Sequence, residues 1–256
     1  MNYKYDKLNI NYDIVGSGDP IILLHGWGTN YHTFLNLTNE IKEKYTVFLI
    51  DLPGFGLSDE PNKVYNLDNY VNFLKTFIEE LQIESPIILG HSFGGRIAIK
   101  YAALYNNISK LILVDSAGIK KKLSIRQKLK IIKYKILKRY YRLTRNIEKY
   151  NELTKTNGSI DYINSTDIMK GVLSKIVKED LKKCLKKINI ETLIIWGKDD
   201  LVTPYKDAII MNKLLKNSGL VTIENAGHFP YLERSKYFNI IIKKYLEVDD
   251  KWVFLE

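Results

Sequence analysis

The chain has one cysteine, Cys184, in 256 residues. No intramolecular disulfide can form, so folding must rest on a hydrophobic core, and a reducing compartment is expected. Cys184 lies in Lys182-Lys183-Cys184-Leu185-Lys186-Lys187. Flanking cations of that kind are expected to lower a thiol pKa, but no partner base stands near it in sequence, so a catalytic thiol is not expected. Histidine is also scarce, with four residues, and none shares a ligand spacing such as H-E-x-x-H with a second His or acid. Neither a metal nor a cofactor is therefore expected. Nowhere do about 18 apolar residues run together, which excludes a spanning helix. The opening Met1-Asn2-Tyr3-Lys4-Tyr5-Asp6-Lys7 has no apolar h-region, and the cytoplasm is the expected location. Internal repeats and low-complexity linkers are absent.

What remains is an ordinary globular composition, 45% apolar and 27% charged, long enough to bury one substantial core. A single domain carrying an insertion is expected. The net charge of +10 is unevenly spread. From Lys120 to Lys149, thirteen Lys/Arg stand against one acid, Glu148, a local excess of +12 that leaves the rest of the chain at −2. The basicity belongs to one segment. Lys, Ile, Asn and Tyr are abundant throughout, as in a protein from an AT-rich genome, so a solvated helix face is the first reading of that segment. Attraction of anionic substrates, or weak contact with an anionic membrane surface, is the second. Nucleic-acid binding is disfavoured, because Tyr134, Tyr140 and Tyr141 fall at helical spacing and read as helix packing before base stacking.

The alternation Leu8, Ile10, Tyr12, Ile14 predicts an antiparallel strand over Leu8 to Val15, broken by Gly16-Ser17-Gly18-Asp19-Pro20. Short apolar runs predict buried strands at Ile21 to Leu24, Tyr45 to Ile50, Pro86 to Leu89, Lys110 to Val114, Thr192 to Trp196 and Leu220 to Ile223. Helical spacing predicts Thr33 to Glu43, Leu67 to Leu81, Arg96 to Tyr105 and Ser235 to Leu246, with Thr203 as an N-cap and Pro204 at the first position of a further helix. Strands alternating with helices imply a mostly parallel central sheet with helices on both faces, and function at the carboxyl ends of the strands. The rhythm lapses for about seventy residues after Gly118, where Leu123 to Leu143 and Ile168 to Leu185 read as helices. Asn157-Gly158-Ser159 reads as a turn or hinge between them. An all-helical insertion between two sheet strands reads as a lid, dividing the chain into core (1–117), basic lid (118–187) and core (188–256).

Gly90-His91-Ser92-Phe93-Gly94-Gly95 joins a predicted strand to a predicted helix. Glycines on either side of the serine let so tight a turn form and hold the serine Oγ clear of the sheet. A serine hydroxyl needs a base to take its proton and a third group to orient that base. His228 follows the last strand and is the candidate base. His25 and His91 read as parts of glycine turns, and His32 as a helix-start residue. For the acid, Asp199, Asp200 and Asp115 all follow strands, and position alone leaves the three open.

Four motifs in this order, His25-Gly26-Trp27-Gly28, Asp51-Leu52-Pro53-Gly54-Phe55-Gly56-Leu57-Ser58, the serine turn, and Trp196-Gly197-Lys198-Asp199-Asp200 followed by Asn225-Ala226-Gly227-His228, make the chain resemble the α/β-hydrolase fold family over nearly its whole length. The resemblance implies the α/β-hydrolase fold with the lid after its sixth strand, Ser92 as nucleophile, His228 as base and, from the family's Gly-x-x-Asp pattern, Asp200 as acid. It also implies an oxyanion hole formed by the backbone N–H groups of Trp27 and Phe93. The Trp27 ring either walls the pocket or packs under the lid, while Asp51, Gly54 and Gly56 shape a turn without chemical role. A serine where haloalkane dehalogenases and epoxide hydrolases carry aspartate argues against both activities. The expected function is a serine hydrolase acting on a carboxylic ester or thioester of a small to medium acyl group. A carbon–carbon bond hydrolase, a cofactor-free perhydrolase and a non-catalytic ligand receptor are the alternatives.

Overall fold

The computed structural model describes residues 1–120, 125–157 and 160–248. Eight strands form one sheet: β1 (Asn2–Tyr5), β2 (Leu8–Val15), β3 (Asp19–Leu24), β4 (Tyr45–Ile50), β5 (Ile87–His91), β6 (Leu111–Val114), β7 (Thr192–Gly197) and β8 (Ser218–Ile223). Their order across the sheet is β1-β2-β4-β3-β5-β6-β7-β8, antiparallel at β1/β2 and β2/β4 and parallel from there on. The unbroken apolar runs follow from helices covering both faces. In β3, Ile22 and Leu24 enter one core while Ile21 and Leu23 enter the other; in β7, Ile194 and Trp196 face one side and Leu193 and Ile195 the opposite. The first core is closed by α2 (Leu67–Glu80), α3 (Phe93–Leu104) and α9 (Tyr205–Leu214), with Tyr70, Phe73, Phe77, Ile97, Tyr101 and Met211 buried. The second is closed by α1 (Leu35–Ile41), α10 (Pro230–Glu233) and α11 (Ser235–Tyr245), through Leu37, Ile41, Tyr231, Phe238 and Ile242.

Helix α3 begins at Phe93, three residues before the reading, β8 begins at Ser218, two before it, and other element ends shift by one or two residues; the larger departures have local reasons. The helix read from Thr33 splits into a 3-10 turn (Tyr31–Phe34) and α1, because Asn30 caps the turn by accepting the His32 N–H. Edge strand β1 is too short to show an alternation. Thr203 does not cap α9; Pro204 occupies that position, and the Thr203 hydroxyl is committed to Asp200. The stretch read from Ile168 to Leu185 is two helices, α7 (Asp167–Ile176) and α8 (Lys182–Leu185).

Between β6 and β7 the described chain is helical: α4 (Ile125–Leu143), α5 (Ile147–Asn157), α6 (Ile160–Asn164), α7 and α8. The start read at Leu123 and the Gly158-Ser159 turn lie outside the described residues. The segment is pinned to α3 from below. Buried Arg96 donates through Nη1 to the carbonyls of Ile176 and Glu179, both at 2.8 Å, the Ile176 carbonyl also accepting the Glu179 N–H at 3.3 Å. Lys100 adds Asp68 at 2.7 Å and Glu179 at 2.6 Å, and the Leu181 N–H donates to the Gly118 carbonyl at 2.9 Å. Burial lowers the Arg96 pKa to about 10, which keeps it cationic at neutral pH. Replacing Arg96 with Met, of similar length, takes the Arg96 donor from both carbonyls, Ile176 O keeping the Glu179 N–H and the partly buried Glu179 O losing its charged donor. Urea denaturation of Arg96→Met is expected to show a loss of about 1–3 kcal/mol, and an unchanged midpoint would contradict this anchoring role.

Candidate active site

β5 delivers Ser92 at the carboxyl edge of the sheet, where the chain must reverse into α3 within a residue. Ser92 adopts φ 50° and ψ −106°, a left-handed conformation that costs a non-glycine residue about 1–3 kcal/mol. Hydrogen bonds hold it there: Ser92 N–H to Val114 O at 3.1 Å, and Ser92 O accepting from the Arg96 and Ala117 N–H groups. A Cβ on Gly90 would come within 2.6 Å of the Gly94 carbonyl, and one on Gly94 would collide with the carbonyls of Leu24 and His25, so neither position admits a side chain.

Ser92 Oγ lies 3.0 Å from His228 Nε2, and His228 Nδ1 lies 2.7 Å from Asp200 Oδ2. The carboxylate assigns the proton to Nδ1, leaving the Nε2 lone pair toward the serine hydroxyl. Asp200 is 4% exposed and fully engaged. Its Oδ1 accepts the N–H groups of Val202 (2.6 Å) and Thr203 (3.0 Å), and Oδ2 accepts the Thr203 hydroxyl at 2.6 Å. Burial alone would raise its pKa; the hydrogen bonds from His228 and Thr203 outweigh that and bring it down to about 2. Asp200 is thus ionised at neutral pH.

The other two candidate acids are placed differently. Asp199 is exposed on the same loop, while Asp115 is fully buried at the end of β6. Asp115 Oδ1 accepts the Gly197 N–H at 3.0 Å, and Oδ2 has no hydrogen-bond partner among the described residues. Burial first, then the neighbouring Asp200 carboxylate, push its pKa to about 10, so a neutral acid sits beside an ionised one. Asp115, Asp200 and His228 have ligand atoms within 4.8 Å of one another. As a cation cage this is a poor donor set, because Asp115 is neutral and Asp200 Oδ2 already accepts from Thr203 and His228.

Three further positions carry more than their sequence reading assigned. His91 is fully buried and bridges the site: its Nε2–H donates to the His228 carbonyl at 2.7 Å, and its Nδ1 accepts the Tyr231 hydroxyl at 3.2 Å. Burial, aided by the nearby His228 ring, lowers its pKa to about 3, which keeps it neutral. His25 is likewise buried, with its pKa lowered to about 4. It links the Gly26 carbonyl (2.7 Å) to the Leu52 N–H (3.0 Å), tying the ends of β3 and β4 together. Asp161 of α6 overhangs the Trp27 turn, its Oδ1 3.8 Å from where a Cβ on Gly28 would sit. Partial loss of hydration raises its pKa while the His228 ring opposes the rise. In sequence His25 and His91 were marked as glycine-turn residues, and Asp161 carried no signal. His32 is an exposed residue of the 3-10 turn bonded to Asn30.

The Gly26-Trp27 turn abuts the serine: a Cβ on Gly26 would lie 3.3 Å from Ser92 Cβ. The Trp27 ring packs edge-on against Phe55 and Phe93, at 4.8 and 5.5 Å. Among the described residues, the N–H groups of Trp27 and Phe93 have no hydrogen-bond partner. Phe93 is the first residue of α3, where the free N–H groups and the helix dipole favour negative charge. Asp51 anchors the adjoining loop, accepting from Tyr31 N, Asn11 Nδ2 and Leu57 N at 2.8–2.9 Å, as expected of a turn-shaping residue. Cys184 corrects an expectation: burial raises the thiol pKa, and the nearby cations do not overcome it.

A family model described as "alpha/beta hydrolase fold" matches residues 19–157 and 170–235. Among curated proteins, the chain is 31% identical over 251 residues to AB hydrolase superfamily protein YisY of Bacillus subtilis, covering 90% of this chain and 92% of the relative. It is 26% identical over 253 residues to a pimeloyl-[acyl-carrier protein] methyl ester esterase of Legionella pneumophila, covering 94% and 100%. The solved structure of an esterase from Exiguobacterium antarcticum is similar with a TM-score of 0.74 at 26% identity, over 94% of this chain and 97% of that one.

The protonated state of Asp115 generates a prediction with a definite sign. An unfolded aspartate ionises near 3.8, the folded one near 10, so between these values the folded state must retain a proton that the unfolded state releases. The contribution of Asp115 to stability is complete below pH 3.8 and falls as pH rises toward 10. Asp115→Asn keeps the carbonyl that accepts from Gly197 and removes the titration. Its melting temperature relative to the unmodified protein is therefore expected to rise between pH 5 and pH 9, and a pH-independent difference would refute a neutral Asp115.

Proposed function

The chain belongs to the α/β-hydrolase fold family, and from that premise we propose that it is a serine hydrolase cleaving a carboxylic ester or thioester of a small to medium acyl group. The observation that carries the reading is the hydrogen-bonded series Ser92, His228, Asp200 at the carboxyl edge of the sheet. Among its relatives are esterases and lipases, which supports ester chemistry.

In this reading Ser92 Oγ attacks the carbonyl carbon as His228 Nε2 takes its proton, and Asp200 steadies the imidazolium across Nδ1. The carbonyl oxygen becomes an oxyanion facing the free N–H groups of Phe93 and Trp27, each such donor contributing about 3 kcal/mol to transition-state stabilisation. His228 returns the proton to the leaving alcohol or thiol. Water, deprotonated by the same imidazole, then releases the acid from the acyl-enzyme. The segment 118–187 serves as a lid over the two core parts, 1–117 and 188–256, and Trp27 walls the acyl site. No step needs a metal or cofactor, because the nucleophile, base, acid and electrophilic N–H groups are all supplied by the chain.

Ser92→Ala is expected to abolish fluorophosphonate labelling and to lower hydrolysis of p-nitrophenyl butyrate by about 10⁴-fold or more, with Asp200→Asn retaining labelling at a strongly reduced rate. Undiminished labelling of Ser92→Ala would overturn the assignment.

A further inference from the structure

The helix α4 is the most basic element of the chain, with eight Lys/Arg and no acid between Ile125 and Leu143. It is also two-faced in an unusual way. The inner face packs on α5 and α6 through Tyr134, Leu137, Lys138 and Tyr141, all partly buried. Lys138 is consumed there, its Nζ 2.8 Å from the Tyr162 hydroxyl and within 6 Å of the Tyr134, Tyr150 and Tyr162 ring centres. The outer face is apolar and bare. Leu129, Ile132, Ile136, Tyr140 and Leu143 are 61, 52, 63, 57 and 70% exposed. At helical spacing they fall within an arc of about 80° and form a straight ridge about 21 Å long.

Cations border this ridge on both sides, Arg126 and Lys133 along one edge and Lys135, Arg139 and Arg142 along the other. Among the described residues, no ion pair engages Lys133, Lys135, Arg139 or Arg142. We propose that this outer face of α4 docks the protein on an anionic lipid surface, with the Leu129–Leu143 ridge dipping among the acyl chains and the flanking cations reaching the phosphates. The occupant follows from charge and shape. A second copy of the same face would bring like charges together along the whole helix. A flat anionic surface, in contrast, meets the ridge and both cationic borders at once, since Lys and Arg stems extend from apolar contact to a polar layer. With eight charges in nineteen residues the helix lies in the plane of the surface; no described helix is long and apolar enough to cross it.

Lys138 ties α4 to Tyr162 of α6, whose neighbour Asp161 overhangs the Trp27 turn, so the docking helix is joined through its inner face to the element beside the site. Delivery of surface-partitioned esters to Ser92 rests on the hydrolase reading. The docking itself does not, and it is measured without turnover.

The test is co-sedimentation of the full chain with vesicles of phosphatidylcholine alone and of phosphatidylcholine containing 30% phosphatidylglycerol. Binding is expected only to the anionic vesicles, and it should be lost near 1 M salt, where charges are screened within about 3 Å. Each bordering cation contributes about fivefold to partitioning, so the Lys135→Gln/Arg139→Gln pair should weaken binding by about 25-fold. Ile132→Asp/Ile136→Asp should remove it while leaving the circular dichroism spectrum and melting temperature unchanged. Ile136→Trp gives an independent readout, a blue-shifted emission on anionic vesicles. Absence of binding to anionic vesicles, binding indifferent to the ridge substitutions, an unshifted emission from the Ile136→Trp variant, or preferential retention by immobilised poly-L-glutamate would each overturn the proposal, the last in favour of an acidic protein partner.

Discussion

The left-handed backbone at Ser92 exists only because β5, α3 and the end of β3 approach closely enough to forbid a Cβ at Gly90 and Gly94. Such a conformation costs about 1–3 kcal/mol and survives only where surrounding structure over-determines it. Here the Val114 carbonyl holds the serine N–H, and the serine carbonyl gathers the N–H groups of Arg96 and Ala117. Strands β5 and β6 and helix α3 are therefore locked to one residue, and through Arg96 so is the helical segment between β6 and β7. A packed two-sided core makes this rigidity affordable: the elbow can be strained because Ile88, Leu89 and Ile97 on either side of it are buried.

Around the elbow, low dielectric sorts the titratable groups by partner. Asp115 and Asp200 are both buried carboxyls, yet one is held neutral and the other ionised. Asp115 receives a single backbone N–H, too little to offset desolvation; Asp200 receives two N–H groups, a hydroxyl and the imidazole, which is enough. The histidines divide in the same manner. His25 and His91, fully enclosed, are neutral brackets between loops, and His91 fixes the His228 backbone by way of its carbonyl. One bracketing histidine thus positions the one that faces the serine.

Much of this was legible in sequence because it is local. Apolar runs of four to six residues marked the parallel strands, since burial on both faces leaves no alternation to misread, and β2 emerged with its ends at Leu8 and Val15. The elbow at Ser92 and the strand-end place of His228 were likewise visible as short patterns, whereas position left Asp115, Asp199 and Asp200 open and the choice of Asp200 came from the family resemblance. What stayed hidden depends on contacts distant in sequence. Thr203 read as a helix cap because Thr-Pro is a cap pattern, whereas its hydroxyl answers to Asp200 three residues back and to the Asp115 carbonyl. His91 looked like a turn residue; its partner lies 137 positions away. Cys184 looked activated by its lysines, but its burial in the fold sets the sign of its shift.

The basic segment tests how far composition can explain structure. An excess of lysine drawn from a biased genome would place cations wherever the surface tolerates them, and it would account for the charge of α4. It gives no reason for apolar residues to recur at three- and four-residue steps along the side of α4 that faces away from α5, nor for the cations to line both borders of that stripe. Elsewhere the same amphipathic rule holds in its usual sense: α2 turns Tyr70, Phe73, Leu74 and Phe77 toward the sheet and its charges outward. In α4 the polarity is reversed on the outer side, the cost of exposing Leu, Ile and Tyr is borne by the free chain, and the only cation with a dedicated partner, among the described residues of this helix, is the inward Lys138. An exposed apolar ridge bordered on each side by cations that have no ion-pair partner among the described residues is a surface organised for something outside the chain, and the Lys138–Tyr162 hydrogen bond joins its inner side to α6.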